Sequence, residues 1–242
     1  MSKYVRNFEW GTKYPNFRKS EFKCPKYCSG YGNGIASSLL NVLQDLRDIY
    51  GDLRVTSGYR CKRYNSSLKG SSVNSYHLLG QACDFYFGSG LLNNESIRID
   101  VVNKIKKMAN VHYSYCNVNG NHPNMASSIH VDCYLVDIDV MEIQRILNGC
   151  YNSHLSVDGS CGELTKQAIK KNYLYLGKNS PIHVAWLQQQ LKWRGYDIGK
   201  TGVDSSFGPA TKKALMKYQS ERKLKVDGYC GLETTECLLF KD

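Results

Sequence analysis

Two histidines and one aspartate have the residue types and the spacing of a catalytic metal site. His77 and Asp84 are separated by six residues, and His130 lies much later, on a predicted strand that also carries Asp132. Two imidazoles and a carboxylate suit catalytic zinc, which keeps its fourth position for water. His130 is the best-placed third ligand, because its strand face has no bulky aliphatic neighbour. His77 and Asp84 alone are a weak signal, since most such histidines are surface residues.

The wider pattern around these residues is more specific. In chain order it consists of S-G-Y-R at 57–60, Asn65, S-Y-H-L-L-G-Q-A-C-D at 75–84 and I-H-V-D at 129–132. Over roughly residues 8–134, including S-E-F-K-C at 20–24, the chain resembles the zinc D-alanyl-D-alanine carboxypeptidases. The resemblance implies that His77, Asp84 and His130 hold Zn²⁺ in a small α+β domain, with an antiparallel sheet at the base of the cleft.

Arg60 and Ser75 are the candidate substrate-binding residues. Arg60 follows a predicted strand, where its guanidinium could bind a substrate carboxylate or stabilise charge developing on the scissile carbonyl, which would make it catalytic. The alternative is a structural arginine paired with an acidic neighbour. Ser75 could hydrogen-bond the substrate or cap the turn that aims His77. Asn65 and Gly70 are expected to be loop formers.

The general base is the least defined part of the pattern. The resembled family often carries an Asp or Glu three residues before its last histidine ligand, and Ser127 occupies that position here. Asp132 is therefore the candidate catalytic base, and its alternative role is to orient a metal ligand. His122 is a more distant candidate base. Four histidines match no ligand spacing and are interpreted as surface or core residues: His112, His122, His154 and His183.

A short pattern recurs three times in the second part of the chain. It reads V-D-x-x-[C/F]-G-x-x-T-x-x-small-[I/L] and begins at Val157, Val203 and Val226. Asp and Gly favour a turn, and Thr falls in the first turn of a following helix. The region resembles the three-helix peptidoglycan-binding domain of cell-wall hydrolases, well over 181–240 and less completely over 140–176. The alternative is a helical bundle that only braces the catalytic part.

Hydrophobic periodicity predicts the elements that position these residues. Helices are expected at Ser37–Tyr50 and Ile97–Met108, and strands at Leu53–Thr56, Ala82–Phe87 and Ile129–Leu135. The predicted fold class is α+β, followed by an all-α region. The expected domains are a zinc peptidase domain at 1–135, a partial peptidoglycan-binding repeat at 136–178 and a peptidoglycan-binding domain at 179–242.

Composition limits the classes of partner that the protein is expected to bind. The formal net charge of +11 favours a polyanionic partner such as an anionic cell wall, while no nucleic-acid motif or long basic run accompanies it. A mean hydropathy of −0.44 with no long apolar run argues against membrane insertion. The ten cysteines are expected to be mostly free, buried thiols. Cys24 and Cys28 have one residue too many between them for a CxxC pair.

Together the two resemblances imply a zinc-dependent peptidoglycan hydrolase, and the resemblance to the carboxypeptidases implies that it cleaves a peptide bond at a D-amino acid of the stem peptide. Whether it is a D,D-carboxypeptidase or an endopeptidase stays open. The first ten residues lack an apolar signal core, so we expect a protein that is made in the bacterial cytoplasm and released onto the wall, as a phage or prophage endolysin is. We also expect a monomer. The alternatives are a non-catalytic, zinc-containing wall-binding protein and a thiol hydrolase that uses Cys133 or Cys83.

Overall fold

The chain forms two compact units. The computed structural model describes residues 3–241, so the outermost limits of the expected first and last domains lie outside the described residues. One unit is Lys3–Val136 and the other begins at Asp137, and each has its own hydrophobic core. No helix within residues 3–241 is long and apolar enough to span a bilayer. The three expected domain ranges stay predictions.

The first unit is built from three helices and four strands. The helices are α1 (Ser37–Tyr50), α2 (Lys62–Ser66) and α3 (Glu95–Ile105), and the strands are β1 (Leu53–Ser57), β2 (Ala82–Phe87), β3 (Val111–Cys116) and β4 (Ile129–Cys133). Helix α1 has the predicted bounds. Leu39, Leu43 and Leu46 of its apolar face are fully buried, Ile49 near its end is exposed, and Gly51 ends the helix with a φ of 86°. These helices and strands confirm the α+β class of the first part.

The four strands form one antiparallel sheet in the order β1-β2-β4-β3. Strands β2 and β4 are central, and Phe85, Ile129 and Val131 contribute buried side chains to the core. Their register places Asp84 opposite His130, so two chemically active side chains come from neighbouring strands. Side chains of directly opposed residues lie on the same face of a sheet.

Four elements differ from the sequence-based expectation. Strand β1 extends one residue further than expected, to Ser57, and β4 ends two residues earlier, at Cys133. Strand β3 is not predicted, because His112 and Tyr113 are both exposed and a register shift between Val111 and Tyr113 breaks the alternation of buried and exposed positions. Helix α3 occupies Glu95–Ile105 instead of Ile97–Met108. Its start is set by a cap, since the Asn94 side chain accepts a hydrogen bond from the backbone N–H of Ile97.

The second unit is all-α, as expected. Its helices are α4 (Ile138–Tyr151), α5 (Glu163–Lys171), α6 (Pro181–Trp193), α7 (Pro209–Glu221) and α8 (Leu232–Phe240). Each of α5, α7 and α8 follows one copy of the repeated turn. Leu187, Leu191, Leu215 and Leu238 are fully buried in the shared core.

A buried glutamine holds each repeated turn against the preceding helix, an arrangement called here a glutamine clamp. In the middle copy, Gln188 Nε2 donates to Asp204 Oδ1 (2.7 Å), to the Ser206 carbonyl oxygen (3.0 Å) and to Thr211 Oγ1 (3.0 Å). Its Oε1 accepts from the backbone N–H groups of Asp204 and Ser205. The bonds from Gln188 and Thr201 lower the pKa of Asp204 to about 2, which keeps this carboxylate ionised.

The other two copies contain the same clamp. Gln144 and Gln219 each donate to the turn's Asp, to a turn carbonyl and to the Thr of the next helix, and they accept from turn N–H groups. The residue after the Asp has a left-handed backbone in all three copies, with φ of 72° at Gly159, 63° at Ser205 and 71° at Gly228. The repeat therefore encodes one hydrogen-bonded unit three times, and Ser205 alone lacks the favoured glycine.

Gln188→Ala is expected to lower the free energy of unfolding by about 3 kcal/mol, because several buried polar groups lose their partners. Gln189→Ala, on the same helix and half-buried, is the matched control and is expected to change it by less than about 0.5 kcal/mol. Urea unfolding followed by helical circular dichroism measures both. Equal losses in the two variants would contradict a structural role for the clamp.

A buried histidine joins α4 to α6 in this unit. Tyr151 Oη lies 3.0 Å from His183 Nδ1 and donates to Ser180 Oγ at 2.8 Å. Burial, with a smaller contribution from the charge of Lys178, lowers the pKa of His183 to about 4. His183 was expected to be either a surface or a core residue, and it is a core residue. It is neutral in the folded protein near neutral pH.

The lowered pKa of His183 predicts an acid-sensitive fold. Below a pH of about 6.5 the unfolded chain binds a proton here that the folded chain does not, so stability falls as the pH drops from about 6.5 to about 4, by about 3 kcal/mol in total. His183→Asn does not titrate and is expected to show a shallower pH dependence of unfolding. Identical slopes for the two proteins would overturn this assignment.

Candidate metal centre

The sheet and one short turn bring the three predicted ligands together. Asp84 and His130 are cross-strand partners on β2 and β4, and His77 lies in a 3₁₀ turn, Tyr76–Leu79. Ser75 caps that turn, because its Oγ accepts from the backbone N–H of His77 at 3.3 Å. The serine therefore has the capping geometry that was one of its two expected roles.

The ligand atoms converge on one carboxylate oxygen. Asp84 Oδ1 lies 2.7 Å from His130 Nδ1 and 3.3 Å from His77 Nε2. One ligand atom from each of the three residues lies within 4.8 Å of the others. His77 is 1% exposed, and Asp84 and His130 are 7% exposed, so water competes little for these donors.

The hydrogen bonds of His77 define which of its nitrogens is free. Its Nδ1 lies 2.6 Å from the Gly58 carbonyl oxygen, which accepts only from a protonated nitrogen. In the neutral ring, Nε2 then carries the lone pair, and burial lowers the pKa of His77, which favours that neutral form. This Nε2 is buried without a hydrogen bond and faces the Asp84 carboxylate. Two acceptors in such contact call for a cation between them.

Asp84 is ionised and held from several sides. Burial alone would raise the pKa of its carboxyl, but the imidazoles of His77 and His130 outweigh burial and hold the pKa well below its usual range. The Arg60 guanidinium contacts Asp84 Oδ2, and Arg60 Nε donates to Ser57 Oγ at 2.8 Å. A neutral imidazole, an ionised carboxylate and a second imidazole form a donor set that fits Zn²⁺.

Asp132 contacts two imidazole rings, those of His130 and His112. Its Oδ2 is 3.3 Å from His130 Nε2, and its Oδ1 is 2.7 Å from His112 Nδ1. Burial would raise the pKa of Asp132, but the hydrogen bonds with His130 and His112 lower it. Burial alone would lower the pKa of His130, but its hydrogen bonds with Asp132 and Asp84 raise it. A carboxylate with two imidazole partners is well placed to orient His130.

The three ligands open into a cleft of about 870 Å³. Arg60, Ser75 and Asp132 line it, so each predicted catalytic or substrate-binding residue is in reach of a molecule bound there. Ser127 does not contribute to the lining, whereas His122 does. Arg60 lines the cleft and also pairs with an acidic neighbour, Asp84, so its position is compatible with both of the roles expected for it.

Of the two residues expected to be loop formers, Gly70 lies in a loop, but Asn65 lies in the short helix α2, so that expectation is wrong for Asn65. Asn65 is buried and its Nδ2 donates to the Ser72 carbonyl oxygen at 2.8 Å, while Ser71 Oγ donates to the Asn65 carbonyl at 2.5 Å. Gly70 has a φ of 79°, the left-handed region that favours glycine. These contacts shape the wall of the cleft that follows α2.

Sequence reasoning missed two residues of this site. His112, interpreted as a surface or core residue, is the second partner of Asp132 and stacks on Tyr76 with ring centroids 4.7 Å apart. Tyr115 lines the cleft, with its ring 4.7 Å from His130 and 4.6 Å from His122. Both lie on β3, so recognition of that strand was the signal that could have found them.

Comparisons with known proteins support this picture. Residues 15–122 match the family model described as Peptidase M15, a range that contains His77 and Asp84 and ends before His130, and residues 183–238 match a peptidoglycan binding domain. The chain is similar to the N-acetylmuramoyl-L-alanine amidase CwlM of Mycobacterium tuberculosis, with 41% identity over 96 residues.

That similarity covers 36% of this chain and 23% of the relative, so the chain spans less than a quarter of that protein's length. No solved structure matches the chain. The two family matches follow one another along the sequence in the order that the motifs predict. The chain therefore carries a Peptidase M15 domain followed by a peptidoglycan-binding domain.

Proposed function

We propose that this protein is a zinc-dependent peptidoglycan hydrolase that cleaves a peptide bond at a D-amino acid of the stem peptide. The observation that carries the proposal is the convergence of His77, Asp84 and His130 in one cleft. The Peptidase M15 match supports peptide-bond hydrolysis, and the peptidoglycan-binding domain supports the wall polymer as substrate.

Zinc held by the two imidazoles and the carboxylate would supply an acidified water and polarise the scissile carbonyl. The protein's own residues would do the positioning. Gly58 holds the His77 ring through Nδ1, so that Nε2 points at the site. Asp132 holds His130 in the same way, and carboxylate partners of this kind strengthen an imidazole ligand.

Arg60 would supply the positive charge of the substrate site. Its guanidinium is anchored by Asp84 and Ser57 and lines the cleft. A fixed guanidinium can neutralise a substrate carboxylate or charge that develops on a carbonyl oxygen. Tyr115 adds a second donor: burial raises the pKa of its phenol, so the hydroxyl keeps its proton near neutral pH.

Asp132 and His122 are the two candidates for the general base. Asp132 has a lowered pKa and two imidazole partners, which makes it a weak proton acceptor and favours the orienting role. His122 lines the cleft and is exposed, so its imidazole is accessible to a substrate bound there.

The helical unit would keep the enzyme on an insoluble substrate. A second, weak contact raises the effective concentration of the catalytic unit near many identical bonds. The net charge of +11 favours an anionic wall. As part of the proposal, the protein is an endolysin made in the bacterial cytoplasm and released onto the wall. The similarity to CwlM favours amide hydrolysis at N-acetylmuramoyl-L-alanine as a second candidate.

Digestion of defined muropeptides by the zinc-loaded protein tests these assignments. Mass spectrometry is expected to show free D-alanine, from a terminal bond, or a new amino terminus on a larger fragment, from an internal bond. His77→Ala is expected to reduce the rate by at least about 1,000-fold, because one metal ligand is lost. His154→Asn, an exposed histidine of the other unit, is the matched control and is expected to retain the rate.

Two other product patterns would overturn the proposal. Release of intact stem peptide from the glycan would assign the amidase activity instead. Unchanged muropeptides, with zinc bound at the His77 site, would identify a non-catalytic wall-binding protein.

The orienting role of Asp132 predicts an effect on metal affinity. Asp132→Asn is expected to weaken Zn²⁺ binding at the His77 site about 10- to 100-fold, as removal of a carboxylate partner of a histidine ligand does. Competition with a chromophoric chelator measures the affinity, with His77→Ala as the blank. Ser127→Ala is the control without effect. Unchanged affinity in Asp132→Asn, together with lost hydrolysis, would instead favour Asp132 as the base.

A further inference from the structure

Three cysteines distant in sequence meet on the first unit. Cys24 and Cys28 lie in the segment before α1, and Cys61 is the residue directly before α2. Their sulfur atoms all lie within 4.8 Å of one another. Cys24 is buried, Cys61 is partly buried and Cys28 is exposed, and all three are free thiols. This cluster, called here the cysteine triad, shares no residue with the His77 site.

Each sulfur of the triad accepts a backbone hydrogen bond. The donors are the N–H of Cys61 to Cys24 Sγ, the N–H of Gly30 to Cys28 Sγ and the N–H of Tyr64 to Cys61 Sγ, each at 3.4 Å. Backbone N–H donors stabilise a thiolate in preference to a thiol.

Basic residues lie close to the triad cysteines in sequence. Lys23, Lys26, Lys62 and Arg63 are direct neighbours of its cysteines or lie two residues away. Lys26 Nζ and the Arg63 guanidinium both stack on the ring of Tyr27, at 5.0 and 4.5 Å. Three thiolates with one divalent ion carry a net charge of −1, which basic side chains this close in sequence would help to balance.

We propose that Cys24, Cys28 and Cys61 bind a structural Zn²⁺ ion. Three thiolates select a soft ion such as zinc over Mg²⁺ or Ca²⁺. On binding, each thiol releases its proton to solvent and each sulfur donates an electron pair to the ion. The fourth position falls to solvent at the exposed side of Cys28 or to the Lys26 carbonyl oxygen, which lies 2.8 Å from Cys24 Sγ and 3.9 Å from Cys61 Sγ.

The ion would tie the segment before α1 to the loop that holds the catalytic cleft. Cys61 directly follows Arg60, and the N–H of Tyr59 donates to the Phe22 carbonyl at 2.9 Å. Gly58 approaches Phe22 so closely that a Cβ would clash with its backbone. Because Gly58 also holds the His77 ring, a metal at the triad would stiffen the support of both Arg60 and His77.

Co²⁺ titration of the reduced full-length protein tests the proposal. A thiolate-to-cobalt charge-transfer band in the near ultraviolet is expected, since within residues 3–241 the triad is the one group of possible metal ligands that contains sulfur. The band is expected to persist in His77→Ala, whose failure to bind metal concerns the other site alone. A thiol-specific organomercurial is expected to release one equivalent of Zn²⁺ from the zinc-loaded protein and from His77→Ala.

Variants of the exposed cysteine complete the test. Cys28→Ser is expected to weaken Zn²⁺ binding at the triad about 100-fold or more and to lower the melting temperature. Cys28→His keeps a ligand and is expected to retain the ion with a weaker charge-transfer band, from two sulfurs instead of three. Cys150→Ser, a partly buried thiol of the other unit, is the matched control.

The proposal is overturned by either of two results. One is the absence of a charge-transfer band in the reduced protein at saturating Co²⁺. The other is a band of undiminished intensity in both Cys28→Ser and Cys28→His.

Discussion

The pairing of β2 with β4 is the constraint on which the candidate active site depends. It places Asp84 opposite His130, so that a carboxylate and an imidazole meet at 2.7 Å with both side chains nearly excluded from water. Because successive side chains of a strand point to opposite faces, a slip of one residue would turn one partner into the core. Phe85 and Ile129, buried on the other face, oppose such a slip.

Three further contacts position the side chains of this site. Gly58 fixes one imidazole, Asp132 the other, and Arg60 the carboxylate. Each contact leaves one donor or lone pair directed at the same point, which is how preorganised sites limit the reorganisation needed for chemistry. Cys61 of the cysteine triad directly follows Arg60, and its sulfur lies close to those of Cys24 and Cys28 in the segment before α1.

Sequence reasoning could locate the ligand motif, the bounds of α1 and β2, and the repeated turn, because each is encoded in a short window. It could not find what depends on pairing between distant segments. His112 lies on the edge strand β3, whose alternation is broken by two exposed neighbours. The triad was hidden for a related reason: the spacing of Cys24 and Cys28 matches no CxxC pair, and Cys61 joins them only through the fold.

The left-handed turn residues of the three glutamine clamps make the repeats unequal. Gly159 and Gly228 adopt this conformation at little cost, whereas Ser205 gives up about 1 kcal/mol to the clash of its Cβ. The clamp of Gln188 therefore holds a strained turn, whereas the clamps of Gln144 and Gln219 hold turns without this strain. On heating, the helical unit is expected to open first at this middle turn, between α6 and α7, before its core unfolds cooperatively.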